Sequence, residues 1–211
     1  AQLAMEHGYA ATSAAGSHHA LAATGAGYCV FNDLAVASSR LLAQGDAKRI
    51  LIVDLDVHQG DGTASLTAGR QDVLTLSLHA AKNFPVRKAR SSIDIGLPDE
   101  MGDTAYLERL ELTLPKAIDQ FDPDFVFYQA GVDPHVNDKL GRLALSDKGL
   151  TERDRFVVNE ARKRGLPIAS ALGGGYGDDQ REVAARHARS MLAMAEANAA
   201  FEAPKTPTPS Y

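Results

Sequence analysis

Apolar and polar positions fall into short runs of two kinds. Ile50-Leu51-Ile52-Val53 is continuously apolar and β-branched at three of its four positions, as suits a strand covered on both faces. Val73-Leu74-Thr75-Leu76-Ser77-Leu78, with His79 ending it, Phe125-Val126-Phe127-Tyr128, and Ile168 to Leu172 have the same character, and Ile93-Asp94-Ile95 is a short extended piece. Between them lie segments of helical pattern. One ends at Gly8. One runs to Gln44, with Asn32 or Asp33 as its cap and Gly45 as its stop. One or two turns cover 63–68. A helix capped by Asp103 reaches about Gln120, where Pro115 should kink or split it. The last two cover 147–164, before Gly165, and roughly 180–199. Residues 10–27 are Ala, Ser, Thr and Gly without a clean period, which is loop composition. The stretch Ala203-Pro204-Lys205-Thr206-Pro207-Thr208-Pro209 belongs to a Pro-rich tail, 201–211, expected to be disordered.

Strands alternating with helices predict a three-layer α/β domain over 1–200, with a largely parallel sheet covered by helices on both faces. In such sheets the ligand site lies beyond the carboxyl ends of the strands. The residues that follow the strands are Asp56, His58 and Asp61; His79; Asp133; and Gly173 to Gly177 with Tyr176. Chemistry-capable side chains therefore gather at one edge of the sheet.

The sharpest signal follows Val53. The pattern switches to alternation, so Asp54, Asp56 and His58 share one face and Leu55 and Val57 the other. Asp54, Asp56 and Asp61, three acids within eight residues, repel one another unless a cation or a proton compensates. A solvated loop is the plain alternative. Asp56 and His58 offer oxygen and nitrogen ligands, and Asp133, just past a strand end, is the best third candidate for a catalytic zinc site with one open position. Such a centre should acidify water less than a three-histidine site and would need a general base. Gly16-Ser17-His18-His19-Ala20 supplies two imidazoles. Asp54 and Asp61 remain to orient them, and Tyr176 can donate its hydroxyl to a developing oxyanion. Together the parts suggest metal-assisted hydrolysis of a carbonyl compound. Singly each has a bland reading: adjacent histidines suit a surface loop, Asp133 a cap, and the glycine turn a nucleotide site.

Bulk properties narrow the class. At 211 residues and 45% hydrophobic content the chain suits one globular domain. Net charge is −5, and only 82–90 (Lys82, Arg87, Lys88, Arg90) is locally basic, read as a solvated loop, so no nucleic-acid partner is expected. One cysteine excludes an internal disulfide and fits a reducing, cytoplasmic setting. No apolar stretch approaches the ~20 residues of a membrane span. The start lacks a signal-peptide pattern and an initiator Met, which suggests that an N-terminal part is missing.

The motifs resemble those of the histone deacetylase superfamily, the zinc amidohydrolases that include acetylpolyamine amidohydrolases and acetoin-utilisation proteins. The resemblance rests on Gly16 to Ala20, Gly27-Tyr28-Cys29-Val30-Phe31-Asn32-Asp33, Val53 to Gly62, Ser77-Leu78-His79, Gly131-Val132-Asp133 and Leu172 to Gly177, in the family's order. His58-Gln59-Gly60 and the short loop before Leu140-Gly141 look closest to its class IV-like branch. The resemblance implies an arginase/deacetylase-like fold, N-terminally truncated, and hydrolysis of acetyl or other acyl groups from acyl-lysine in proteins or peptides, or from small acyl-amines. It implies Zn²⁺, or Fe²⁺ in the cell, on Asp56, His58 and Asp133. His19 would be the base and then the acid, a choice over His18 that comes from the family alone. His18 would be its electrostatic partner, with Asp54 pairing His18 and Asp61 pairing His19. Tyr176 would polarise the carbonyl. Tyr28, Phe84 and Cys29 would line the tunnel, and Gly27 and Gly174 would join in binding substrate, Gly27 through its carbonyl. A structural K⁺ would use Asp54, Asp56, His58, Ser77 and Leu78. Without its N-terminal layer the sheet would expose an edge or face that a partner chain, a second copy among them, would cover. Two other readings stand beside the deacylase: an inactive remnant, and a nucleotide module using Gly173 to Gly177, which requires a further strand after the last helix. His7, His135 and His187 are left as structural, and His79 as a support of the site.

Overall fold

In the computed structural model, which describes residues 1–202, six strands form one wholly parallel sheet. They are β1 (Tyr9–Ala15), β2 (Ile50–Asp54), β3 (Val73–Ala80), β4 (Ile93–Leu97), β5 (Phe125–Ala130) and β6 (Ile168–Leu172), in the order β1-β6-β5-β2-β3-β4. The helices are α1 (Gln2–His7), α2 (Asp33–Gln44), α3 (Asp61–Leu66), α4 (Asp103–Phe121), α5 (Asp147–Lys163) and α6 (Gln180–Glu202). The expectation of a disordered tail falls mostly on 203–211, outside the described residues; Phe201 and Glu202 belong to α6.

Strand alternation sorts the core into two layers. Leu51, Val53, Leu55 and Val57 meet Tyr106, Leu110 and Leu114 of α4, Val157 of α5 and Met194 of α6 in the larger cluster. Ile50 and Ile52 face the other way, with Phe125 and Phe127 of β5, toward Leu34 and Leu41 of α2 and Ala4 of α1. This second layer is thinner. A groove of about 390 Å³ runs across it, lined by Leu3, Leu34 and Phe127 among others, and Leu3 and Val36 are exposed.

Four local expectations need correction. Residues 9–15 form a strand rather than a loop: β1 pairs with β6 from Tyr9↔Ile168 onward. As an edge strand of small residues, exposed from Ala11 to Ala14, it carries no apolar alternation to reveal it. β3 does not stop at His79. It runs on to Ala80 because His79 pairs with Gly96 of β4 and its Nδ1 shares a 2.9 Å hydrogen bond with the Ser77 hydroxyl. Pro115 does not split α4. The carbonyl it deprives of a partner belongs to exposed Glu111, where water can serve it. Gly102, not Asp103, is the α4 cap residue. The Asp103 carboxylate instead accepts from the backbone N–H (2.8 Å) and hydroxyl (2.6 Å) of Ser146, which itself caps α5.

Candidate active site

Beyond the carboxyl ends of β2 and β5 the chain turns polar on one side only. In-register pairing, Asp54↔Gln129, carries both strands to the same level before they end. Asp56, His58 and Asp133 therefore arrive together, all buried, with ligand-capable atoms within 4.8 Å of one another. His58 Nδ1 lies 3.0 Å from Asp56 Oδ1 and 3.0 Å from Asp133 Oδ2. The carboxylates are held from the backbone. Asp56 accepts from the N–H of His58 (2.9 Å) and of Gly174 (2.6 Å), and Asp133 from the N–H of Val57 (2.8 Å). Glycine is required around them: a Cβ at Gly174 would stand 2.0 Å from Asp133 Oδ2, and one at Gly131 2.5 Å from Asp56 Oδ2.

The electrostatics call for a cation. Burial raises the Asp133 carboxyl, and the neighbouring Asp56 raises it further, against the opposing pull of His58. Burial would raise Asp56 too, but His18 and His58 hold it well below the usual carboxylate range. Two buried carboxylates and one imidazole are an oxygen- and nitrogen-donor set that suits zinc or ferrous iron, and a divalent ion would neutralise the pair. The residues present fit such an ion.

The paired histidines sit beside this cluster. His18 Nδ1 lies 2.8 Å from Asp54 Oδ2, and His19 Nδ1 lies 2.6 Å from Asp61 Oδ1. Their environments diverge. Burial alone would lower His18, but Asp54 and Asp56 outweigh it and push it up to about 10. His19 moves the other way: burial lowers it, and the charge on His18 adds to that, against the hydrogen bond it makes to Asp61. The loop carrying them is pinned from three elements. Gln129 of β5 donates to the Gly16 carbonyl (2.8 Å), and the Asn32 amide, while capping α2, donates to the carbonyls of His18 (3.3 Å) and Ala20 (3.4 Å). The Thr63 N–H of α3 also bonds the His18 carbonyl.

A cavity of about 370 Å³ opens onto this group, lined by His19, Gly27, Tyr28, His58, Phe84, Leu140 and Tyr176. The Phe84 ring meets His19 edge-on at 4.9 Å, and the Tyr176 ring lies 6.1 Å from His58 and 6.2 Å from Tyr28. Burial raises the Tyr176 phenol, and Asp56 and Asp133 raise it further, so it stays protonated. Gly27 has φ +51°, and a Cβ there would stand 2.3 Å from the His19 ring.

Two expected residues lie elsewhere. Gly174 does not line the cavity. Its N–H is given to Asp56 and its carbonyl accepts from Val132 and Asp133, so it serves the carboxylates instead. Cys29 is also absent from the lining; its thiol donates to the Gly27 carbonyl at 3.3 Å. Ser77 lies beside Asp54 in register, with its hydroxyl shared with His79.

Three contributors escape a sequence reading. Asp138 accepts from the Tyr176 N–H (2.7 Å) while the Lys139 N–H donates to the Tyr176 carbonyl (3.0 Å), which holds that residue by both backbone groups. Asn83 ties the Phe84 turn to the opposite wall, donating to the Leu140 carbonyl (2.6 Å) and accepting from the Arg142 N–H (3.0 Å). Lys88, expected on a solvated loop, folds back onto the carbonyls of Asn83 and Pro85. Nothing in their spacing marks them: Asp138 and Asn83 act across a gap between loops, and Lys88 bonds main-chain carbonyls of its own loop. Among the described residues, no helix is long and apolar enough to cross a membrane.

Comparison with known proteins agrees with this geometry. The histone deacetylase domain family matches residues 1–192. The chain is 48% identical over 187 residues to an uncharacterized protein of Picosynechococcus sp., covering 89% of this chain and 62% of that one. It is 34% identical over 179 residues to histone deacetylase 2 of Arabidopsis thaliana, covering 83% and 46%. To a probable deacetylase of Archaeoglobus fulgidus it is 33% identical over 170 residues, covering 75% and 47%. The chain thus spans about half to three-fifths of these relatives. Among solved structures, the HDA15 HD domain superposes with TM-score 0.71 at 25% identity, over 88% of this chain and 57% of that one. The acetylpolyamine aminohydrolase from Burkholderia pseudomallei superposes with TM-score 0.76 at 22% identity, over 95% and 59%, a likeness of fold alone.

Proposed function

The chain belongs to the histone deacetylase family, and on that premise we propose that it is a metal-dependent hydrolase that removes acetyl or other acyl groups from the side chain of acyl-lysine. The observation that carries the reading is the convergence of three elements on one cavity: the buried Asp56, His58 and Asp133 cluster, the His18/His19 pair and Tyr176. The cavity suits the substrate. Its wall is apolar where Tyr28, Phe84 and Leu140 stand and polar at its floor, which matches a methylene stem ending in an amide.

Asp56, His58 and Asp133 would hold the ion, zinc or ferrous iron. When bound, that ion supplies Lewis acidity to the acyl oxygen and to a water. The chain's own groups do the rest. His19, facing the cavity and kept neutral, takes the proton from the attacking water and delivers it to the leaving nitrogen. His18 does not line the cavity and is held protonated by Asp54; its charge favours the oxyanion. That division supports His19 as the base on physical grounds. Tyr176 donates its hydroxyl to the oxyanion. A monovalent cation on Asp54, Asp56, His58, Ser77 and Leu78 would brace the β2 end from behind.

Acetylated polyamines are the second substrate class, the one named for the acetylpolyamine aminohydrolase whose fold this chain shares. The test is release of acetate from acetyl-lysine peptides and from acetylated polyamines by the reconstituted chain. We expect the peptide to be the better substrate. Preference for the polyamine would move the assignment within the family, and no turnover of either would favour an inactive remnant.

A further inference from the structure

Arg153 of α5 is fully buried, the largest side chain to be so among the described residues. A buried guanidinium is expensive and rarely improves stability over apolar residues of the same volume, so its contacts show what it is for. Its Nη1 donates to two main-chain carbonyls, Gly131 O at 2.8 Å and Leu55 O at 3.1 Å. Leu55 directly precedes Asp56, and Gly131 lies two residues before Asp133. The ladder between β2 and β5 gives its last bond from the Leu55 N–H to the Gln129 carbonyl, 3.2 Å. Past that point the Leu55 and Gly131 carbonyls both accept from the one Nη1. Two acceptors repel, and a shared cationic donor reverses the sign.

The guanidinium is itself held. Its Nε donates to Asp154 Oδ1 at 2.8 Å. The same carboxylate accepts from the Tyr128 hydroxyl of β5 at 2.5 Å and from the Ser190 hydroxyl of α6. The plane of the fork is thus fixed by α5, α6 and β5 together, on the face of the sheet opposite the histidine pair. The lysine point charge lacks such a fork.

We propose that Arg153 is a positioning residue for the metal centre: by clamping the Leu55 and Gly131 carbonyls it sets the spacing of Asp56 and Asp133. The proposal rests on the reading of Asp56, His58 and Asp133 as metal ligands, and is tested apart from turnover. The probes are Zn²⁺ affinity by competition with a chromophoric chelator and the visible absorption of the Co²⁺-loaded chain.

Three variants of the full chain are compared with wild type. Arg153→Met combined with Asp154→Asn replaces the ion pair by a neutral pair of similar volume, so the fold is not left with a lone buried charge. Arg153→Lys keeps the charge without the fork. Leu110→Ala opens a cavity in the core layer that α4 shares with α5 but removes none of the Arg153 hydrogen bonds, and controls for general destabilisation. We expect the double variant to bind Zn²⁺ about 10- to 100-fold more weakly, with an altered Co²⁺ spectrum. Arg153→Lys should lose part of the affinity, and Leu110→Ala none. Wild-type affinity and spectrum in the double variant overturns the proposal. If the double variant does not fold, the same result in Arg153→Lys overturns it. Equal affinity loss in Leu110→Ala also overturns it, since the effect would then be one of stability. If the wild-type chain binds neither ion, the metal-centre reading itself fails and takes this proposal with it.

Discussion

At the floor of the cavity Asp56 and Asp133 are at most 1% exposed, and each carboxylate is fixed by backbone N–H groups from a neighbouring loop or strand end. At its mouth Tyr28 is 89% exposed, with φ +64° and its place set by a loop. The two regions meet at His58, which belongs to the carboxylate cluster and also lines the cavity, yet different forces locate them. Strand register places the floor; loop-to-loop hydrogen bonds place the walls. A change at the floor should therefore abolish chemistry, and a change at the mouth should alter how well substrate is held.

The largest effect is expected from the ligands. Asp133→Asn should remove both bound metal and turnover, checked by elemental analysis beside acetate release; full activity without metal would break the comparison at its base. Next come the groups that act on the substrate. His19→Ala and Tyr176→Phe should each lower kcat by ~10²–10³-fold while metal content stays at the wild-type level. The pH profile sharpens the roles. A general base works deprotonated, and burial lowers His19 below its ordinary 6.5, so kcat/KM should rise with pH on the acid side and level off before neutrality. His18, held up to about 10, should add no break near pH 7. An acid limb that persists in His19→Ala would assign it to another group.

Asp138→Asn should cost about tenfold in kcat, the scale of one hydrogen bond to a charged group. Because Asp138 reaches the reaction only through the backbone of Tyr176, its effect should largely vanish in a Tyr176→Phe background. Fully additive losses would show that it acts elsewhere. The smallest change belongs to the mouth. Tyr28→Ala should raise KM a few-fold, roughly what a partly exposed apolar contact is worth, and leave kcat near wild type.

The same contrast governs how much the sequence reveals. β2, β3, β5 and β6 announce themselves as apolar runs because they are buried on both faces, and the switch to alternation at Asp54 marks the point where the sheet ends. β1 hides because an edge strand of Ala, Thr and Ser needs no apolar face. Pro115 misleads because the hydrogen bond it removes lies on the wet side of α4. In the site, Asp56, His58, Asp133, His18 and His19 are legible from residue type and position after a strand. Asp138, Asn83 and Arg153 are not. Each bonds backbone groups of a distant segment, and a main-chain carbonyl leaves no trace in the sequence of what donates to it.

The central claim is that one metal ion on Asp56, His58 and Asp133 makes this chain an acyl-amide hydrolase. The most direct measurement is a titration of the chelator-stripped chain with Zn²⁺, and separately Fe²⁺, following acetate release from an acetyl-lysine peptide. The expected result is no turnover in the stripped chain, a rise that breaks at one equivalent of metal, and no rise in Asp133→Asn. Undiminished turnover in the stripped chain, or a metal response that Asp133→Asn leaves intact, would contradict it.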